Sequence, residues 1–235
     1  MWEALGWGAV AGSSLLIGAV LGVARHWRTM WIGLVLGFGA GALISSISFE
    51  LFEEGLETGG ALPLALGLAA GALAFYLADR AVGRLGSRLG AGSAGLSLAL
   101  GALLDGIPEQ TVLGLGLAEG QGVSIALLVA IFVSNLPESI GSSTDMKAAG
   151  ESPRRIIILW GSVAAVCTLA TLGGYAISRV TAGRFEGAVD GFAAGALLVM
   201  LVGSMIPEAT RKSKEKAGLA AVLGFAVAAG LSALS

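Results

Sequence analysis

Eight long apolar stretches joined by short connections leave this chain few folds to choose from. They fall near residues 4–23, 30–52, 61–79, 95–118, 122–147, 155–178, 187–208 and 217–234. A helix of about 20 apolar residues is long enough to cross the hydrocarbon of a bilayer. Only 13% of the residues are charged, 55% are hydrophobic, and the mean hydropathy is +0.85. Soluble domains carry about 25% charged residues, so a soluble core is the weaker reading. The fold expected is an all-α polytopic membrane protein, a single transporter-like domain over residues 1–235 with eight transmembrane helices. The first apolar stretch is not followed by a clear small-residue cleavage site and reads as a retained span. The 38 glycines suit helices whose backbones approach closely in lipid. The longest connection, about 80–94, contains Arg80, Arg84 and Arg88, has no apolar periodicity and reads as a mobile loop.

The basic residues orient the spans. Arg25 and Arg28 lie between spans 1 and 2, Arg80, Arg84 and Arg88 between 3 and 4, and Lys147, Arg154 and Arg155 between 5 and 6. Arg211, Lys212, Lys214 and Lys216 lie between 7 and 8. Twelve of the 14 lysines and arginines therefore share one side, and only Arg179 and Arg184 fall on the other. Short loops rich in Lys and Arg stay cytoplasmic, so both termini are expected outside. No basic tail or aromatic-basic stripe points to nucleic acid. Cys167 is the only cysteine, which excludes a disulfide framework and a thiolate metal cage.

Spans 2 and 7 align without gaps. Gly37, Phe38, Ala40, Gly41, Ala42 and Leu43 match Gly191, Phe192, Ala194, Gly195, Ala196 and Leu197, and further on Glu54 matches Glu208. The two spans run in opposite directions, so spans 1–3 and 6–8 read as inverted repeats around a central pair, a 3+2+3 plan. Inverted repeats with a midplane site on interrupted helices are the architecture of secondary transporters.

Pro-Glu occurs three times within apolar sequence, at Pro108-Glu109, Pro137-Glu138 and Pro207-Glu208. A carboxylate at the centre of a membrane helix is costly, and a proline there frees a backbone carbonyl. The first two lie in parallel registers, Asp105-Gly106-Ile107-Pro108-Glu109-Gln110 and Ser134-Asn135-Leu136-Pro137-Glu138-Ser139. The first residue of each and the glutamate are four apart, one turn along the same face. Asp105 lies about ten residues, or roughly 15 Å, from either end of its span, near the midplane. Together these helices can present Asp105, Glu109, Ser134, Asn135, Glu138 and Gln110. Three carboxylates packed in low dielectric repel one another and must bind protons or share a cation. Oxygen donors of this kind suit Mg²⁺, Mn²⁺, Fe²⁺ or Ca²⁺, whereas zinc sites usually recruit His or Cys as well. The alternative is a proline-kinked pair whose protonated glutamates merely hydrogen-bond across the interface.

At these residues the chain resembles the ZIP (zinc/iron-regulated transporter-like) family, nearest its compact bacterial branch. That family carries a His-Asn-x-Pro-Glu-Gly type of motif on its fourth and fifth helices, here on Asp105 to Gln110 and Ser134 to Ser139. It also tends to end spans 2 and 7 in Pro-Glu-Ala, matched by Pro207-Glu208-Ala209 but replaced by Glu53-Glu54-Gly55 in span 2. The motif histidines are Asp105 and Ser134 here, and Gly106 stands where Asn is expected. Pro108, Glu109, Asn135, Pro137 and Glu138 are retained. The resemblance implies a binuclear-type metal site, with Asp105, Glu109, Ser134 and Glu138 at the first position. Asn135 stands beside the shared glutamates at the second. It also implies a homodimer in the bacterial inner membrane. Many relatives have a His-rich loop between spans 3 and 4, which this chain lacks.

Other residues carry two readings each. Glu50, Glu53, Glu54 and Glu57, at the outer end of span 2, either concentrate cations at an entrance or form a solvated helix end. Asp145 is an exit-side ligand or a partner of Lys147 or Arg154. Glu208 is a pathway residue or a salt-bridge partner of Arg211 and Lys212. Asp190 reads as a cap or anchor of span 7, His26 as an interfacial anchor, and Cys167 as packing. Ser45, Ser46 and Ser48 face the pathway or bond back to their own helix.

The function expected is transport of a divalent cation (Zn, Fe, Mn or Mg as substrate) toward the cytoplasm, with no enzymatic activity and no cofactor. Proton coupling is a further expectation, and uptake indifferent to pH would count against it. Two rivals remain. One is a transport-inactive metal sensor or scaffold, supported by the loss of the histidines. The other is an intramembrane hydrolase using Asp105 and a glutamate, which lacks a second aspartate in a catalytic motif.

Overall fold

A computed structural model describes residues 1–89, 94–118, 123–180 and 184–233. Among the described residues there are eight long helices and no strand. They are α1 (Trp2–Ala24), α2 (Thr29–Gly59), α3 (Ala61–Leu89), α4 (Ala94–Ala118), α5 (Ile125–Ala148) and α6 (Pro153–Val180). Next, α7 runs Arg184–Met200 and continues through a π-helical stretch, Leu201–Met205, into Ile206–Ser213; α8 is Lys216–Ser232. A second π-helical stretch, Ile47–Glu53, lies within α2.

Local chemistry sets the boundaries. Gly60 (φ 81°) and Gly150 (φ 92°) turn the chain after α2 and α5 in a conformation open to glycine, and Lys214 (φ 55°) does so after α7. The Leu127 amide donates to Ser124 Oγ at 3.1 Å, capping α5. Pro153 opens α6, where its missing N–H costs nothing. Pro207 follows the π-stretch of α7 and stands in the first turn of a renewed α-helix, so it breaks no regular ladder.

One expectation changes. The loop placed at 80–94 is helix as far as Leu89, and residues 90–93 lie outside the described residues, as does the side chain of Arg88. The helical part, 80–89, carries Arg80, Arg84, Arg88, Leu85 and Leu89, residue types that favour helix, and no proline to stop one. Arg80 lies over the Tyr76 ring at 4.9 Å, which fixes this turn from outside.

Six helices, α1, α2, α3, α5, α6 and α7, are long and apolar enough to cross a membrane; α8 is a shorter apolar helix. Their outward faces are those of a body solvated by hydrocarbon. Leu62, Leu66, Leu73 and Leu77 of α3 and Leu219, Val222 and Leu223 of α8 are all more than half exposed. The helices associate in pairs: α3 lies along α7, α2 along α8, α4 along α6 and α1 along α5. Small residues make this closeness possible. A Cβ added at Gly41 of α2 would run into the Ala221 carbonyl of α8, and one at Gly195 of α7 into the Leu68 carbonyl of α3. In the centre α2 packs against α5, and α7 packs against α4.

Candidate functional site

The centre is built from α4 and α5, both of which remain helical through their prolines, Pro108 and Pro137. The two helices pass three successive depths. Asp105 and Glu138 line a cavity of about 600 Å³ together with Asp145, Ser204, Glu208 and Lys212. One turn further along α4, Glu109 is 1% exposed, and Ser134 and Asn135 on α5 are buried beside it. Beyond them, Val112 and Leu113 of α4 and Ser124 and Leu127 of α5 line a second cavity of about 500 Å³, which also contains Glu50, Glu54 and Asp190. Glu109 thus lies in protein between two cavities at opposite ends of the bundle.

The buried group is held from one side only. Ser134 Oγ lies 3.1 Å from Glu109 Oε1 and 2.9 Å from the Ile131 carbonyl, so its single proton serves one or the other. Glu109 Oε2 and Asn135 Nδ2 make no hydrogen bond, nor do the buried hydroxyls of Ser45 and Ser46. Polar groups in such a position are costly unless something satisfies them. Two glutamates and an aspartate thus stand along one face of the α4–α5 pair. Among the described residues, no three of His, Cys, Asp and Glu come together closely enough to hold one ion in a direct cage.

Other residues named from the sequence take definite places. Gln110 faces α6: Thr171 Oγ1 donates to Gln110 Oε1 at 2.6 Å, and Gln110 Nε2 makes no hydrogen bond. Asp145 lines the first cavity, and Lys147 donates instead to the Val23 carbonyl at 2.7 Å. Glu208 pairs with Lys212 at 2.7 Å on the wall of the same cavity. Asp190 does not cap α7. It lies within that helix, 3% exposed, with Oδ2 making no hydrogen bond. The helix begins at Arg184, earlier than its apolar run, which moves Asp190 from the end to the wall of the second cavity. His26 lines the mouth of the first cavity, and Ser48 bonds back to the Ile44 carbonyl at 2.8 Å.

Ser204 was not singled out from the sequence. It lies in the π-helical stretch of α7 and donates to Asp105 Oδ2 at 3.1 Å. The signal available was the register pairing span 2 with span 7, which sets Ser204 opposite Glu50, another polar group in an apolar run.

No family model matches the chain. A protein of Arabidopsis thaliana that bears the provisional name of zinc transporter is 29% identical over 218 residues, which is 87% of this chain. The match takes in 34% of that relative, so the chain spans about a third of the length of the curated protein it resembles.

Proposed function

We propose that the chain is a ZIP-like transporter of divalent metal cations, of the compact bacterial kind with the motif histidines replaced. The observation that carries this reading is the burial of Glu109 between two carboxylate-bearing cavities. An ion approaching Glu109 from either cavity meets carboxylates in that cavity first. Alternating access then requires only that the protein around Glu109 open to one cavity at a time. The name of the Arabidopsis relative agrees in kind with this reading.

The substrate-binding residues are Asp105, Glu109, Ser134, Asn135 and Glu138, with Glu50, Glu54, Asp145 and Glu208 along the approaches. Because no three of His, Cys, Asp and Glu form a direct cage among the described residues, the cation keeps part of its water shell, as Mg²⁺ and Mn²⁺ readily do. The eight helices are eight spans in an inner membrane with both termini outside. Flow runs from the Glu50 side toward the Lys212 side, where the basic loops gather.

The inverted 3+2+3 plan draws support from the helix pairing. Exchanging repeat partners turns the α3–α7 pair into α8–α2 and the α4–α6 pair into α5–α1, and all four pairs exist. The π-stretches begin at Ile47 and Leu201, residues matched by the same register that pairs Gly41 with Gly195. Such a plan lets one packing geometry serve both the outward-open and the inward-open state.

Uptake into proteoliposomes tests the reading, with a panel of Mg²⁺, Mn²⁺, Fe²⁺, Zn²⁺ and Cd²⁺ and Glu138→Ala as control. Flux of at least one metal that disappears in the control is expected. Absence of all flux in a protein that still binds metal would transfer the assignment to a sensor or scaffold.

A further inference from the structure

The cavity beside α8 is more than an open funnel. Glu50 Oε1 receives two hydroxyl donors, Ser124 Oγ at 2.7 Å from α5 and Ser232 Oγ at 3.0 Å from α8. These fix the carboxylate and leave Oε2 buried with no hydrogen bond. Across the same cavity Asp190 is 97% buried by its 3% exposure, and its Oδ2 makes no hydrogen bond either. Asp190 comes this close because α2 carries Gly55 opposite it, where an added Cβ would lie 3.0 Å from Asp190 Cβ and 3.4 Å from its Oδ2. Glu53 and Glu54 bring the carboxylates on the wall to four.

The charge balance separates this cavity from the one at the other end. There Glu208 is paired with Lys212 at 2.7 Å and Arg211 stands near. Here no lysine, arginine or histidine is among the described residues of the lining. Fixed carboxylates in a pocket of low dielectric, with no cation of the protein's own, are strongly disfavoured as charged groups and are relieved by binding protons or an external cation.

We propose that this cavity is a second cation-binding site, in which Glu50, Glu54 and Asp190 hold a hydrated divalent cation ahead of the buried glutamate. Its role as an antechamber rests on the transport reading, but its binding does not. At about 30 Å³ for each water, an ion with six waters occupies roughly 200 Å³, which a cavity of about 500 Å³ admits. The carboxylates do not converge into a direct cage, so they act on the water shell. The hydrogen-bonded Glu50 supplies one fixed acceptor and Asp190, on the same cavity, a second.

Equilibrium dialysis with Mn²⁺ tests the site in the Glu109→Gln/Glu138→Gln protein, whose two central glutamates are thereby neutral. The expected result is one Mn²⁺ retained per chain, weakened at least about tenfold by adding Asp190→Asn and, in a separate protein, Glu50→Gln. The second substitution guards against a folding defect in the first. No retained Mn²⁺ in the parent double variant, or retained Mn²⁺ that both substitutions leave unchanged, would overturn the proposal. Retained Mn²⁺ that both substitutions weaken, in a protein whose wild type carries no metal flux, would uphold this site and overturn the transport reading instead.

Discussion

The Ser204 hydroxyl donates to Asp105 Oδ2 at 3.1 Å, tying the π-helical stretch of α7 to the middle of α4. A π-turn carries one residue more than an α-turn and rotates the side chains that follow it. Such bulges are frequent at functional sites. In α7 the bulge brings Ser204 to the cavity wall and lets Pro207 begin a fresh helix just beyond. Asp105 is therefore held by a segment of α7, and movement of α7 relative to α4 would be felt directly at the carboxylate.

Removing that tether should weaken metal binding without unfolding the protein. Ser204→Ala deletes one hydrogen bond to a charged group, a loss of about 1.5–3 kcal/mol at most. Groups that orient a metal-binding carboxylate typically change affinity by about 10–100-fold. The expected outcome is a rise of that size in the apparent KM for uptake, with thermal stability nearly unchanged. An unchanged KM would remove Asp105 from the binding path.

Glu109→Gln distinguishes charge from shape at the centre. The amide keeps an oxygen that Ser134 can reach and loses the charge that protein on all sides isolates from water. Removing an uncompensated buried charge is neutral or stabilising in most settings. Uptake should fall to the background of empty vesicles while the melting temperature holds or rises. Loss of both together would mark Glu109 as a structural group.

How much of this was legible in the sequence differs from element to element. The helices follow the apolar runs closely, because in hydrocarbon the backbone must satisfy itself within each segment. The segment from 80 to 89 reads as loop because its arginines break the apolar pattern, although they do not break a helix. Glu109, Ser134 and Glu138 stood out through the matched Pro-Glu registers. Ser204 and Asp190 did not. Ser204 depends on a π-bulge that no local pattern announces, and Asp190 on a helix that begins several residues before its apolar run.

The glycine contacts predict a sharp contrast between positions of the same residue type. A side chain at Gly41 would collide with the Ala221 carbonyl, whereas Gly161 of α6 has open space around its Cβ direction. Overfilling a close contact costs about 1–3 kcal/mol and sometimes more. Gly41→Val should lower the melting temperature in detergent and Gly161→Ala should not. Equal effects would mean that α2 and α8 are not in close backbone contact.

Orientation can be tested with single cysteines. Cys167 is fully buried, so the native background is silent to a bulky reagent. Glu57 at the end of α2 and Glu215 before α8 are both exposed and lie on opposite sides of the proposed membrane. In intact cells, a membrane-impermeant maleimide should label Glu57→Cys and spare Glu215→Cys until the cells are broken. The reverse pattern would invert the topology and the direction of flow.

Metal preference offers the most specific test of the ligands. Asp105 lines a cavity with room for a larger group, unlike Ser134, which is completely buried against Gly39 of α2. Replacing a carboxylate by an imidazole exchanges a hard oxygen donor for one that suits zinc better than magnesium or manganese. In the Asp105→His protein the ratio of Zn²⁺ to Mn²⁺ uptake, measured in competition, should rise by about tenfold or more, which corresponds to about 1.4 kcal/mol of differential binding. The neighbouring Glu138, unaltered in this variant, keeps a carboxylate on the path, so flux itself should survive. A ratio that stays constant while flux survives would show that the ion passes Asp105 without touching it, and the selectivity of this chain would then have to be sought at Glu109 and Glu138.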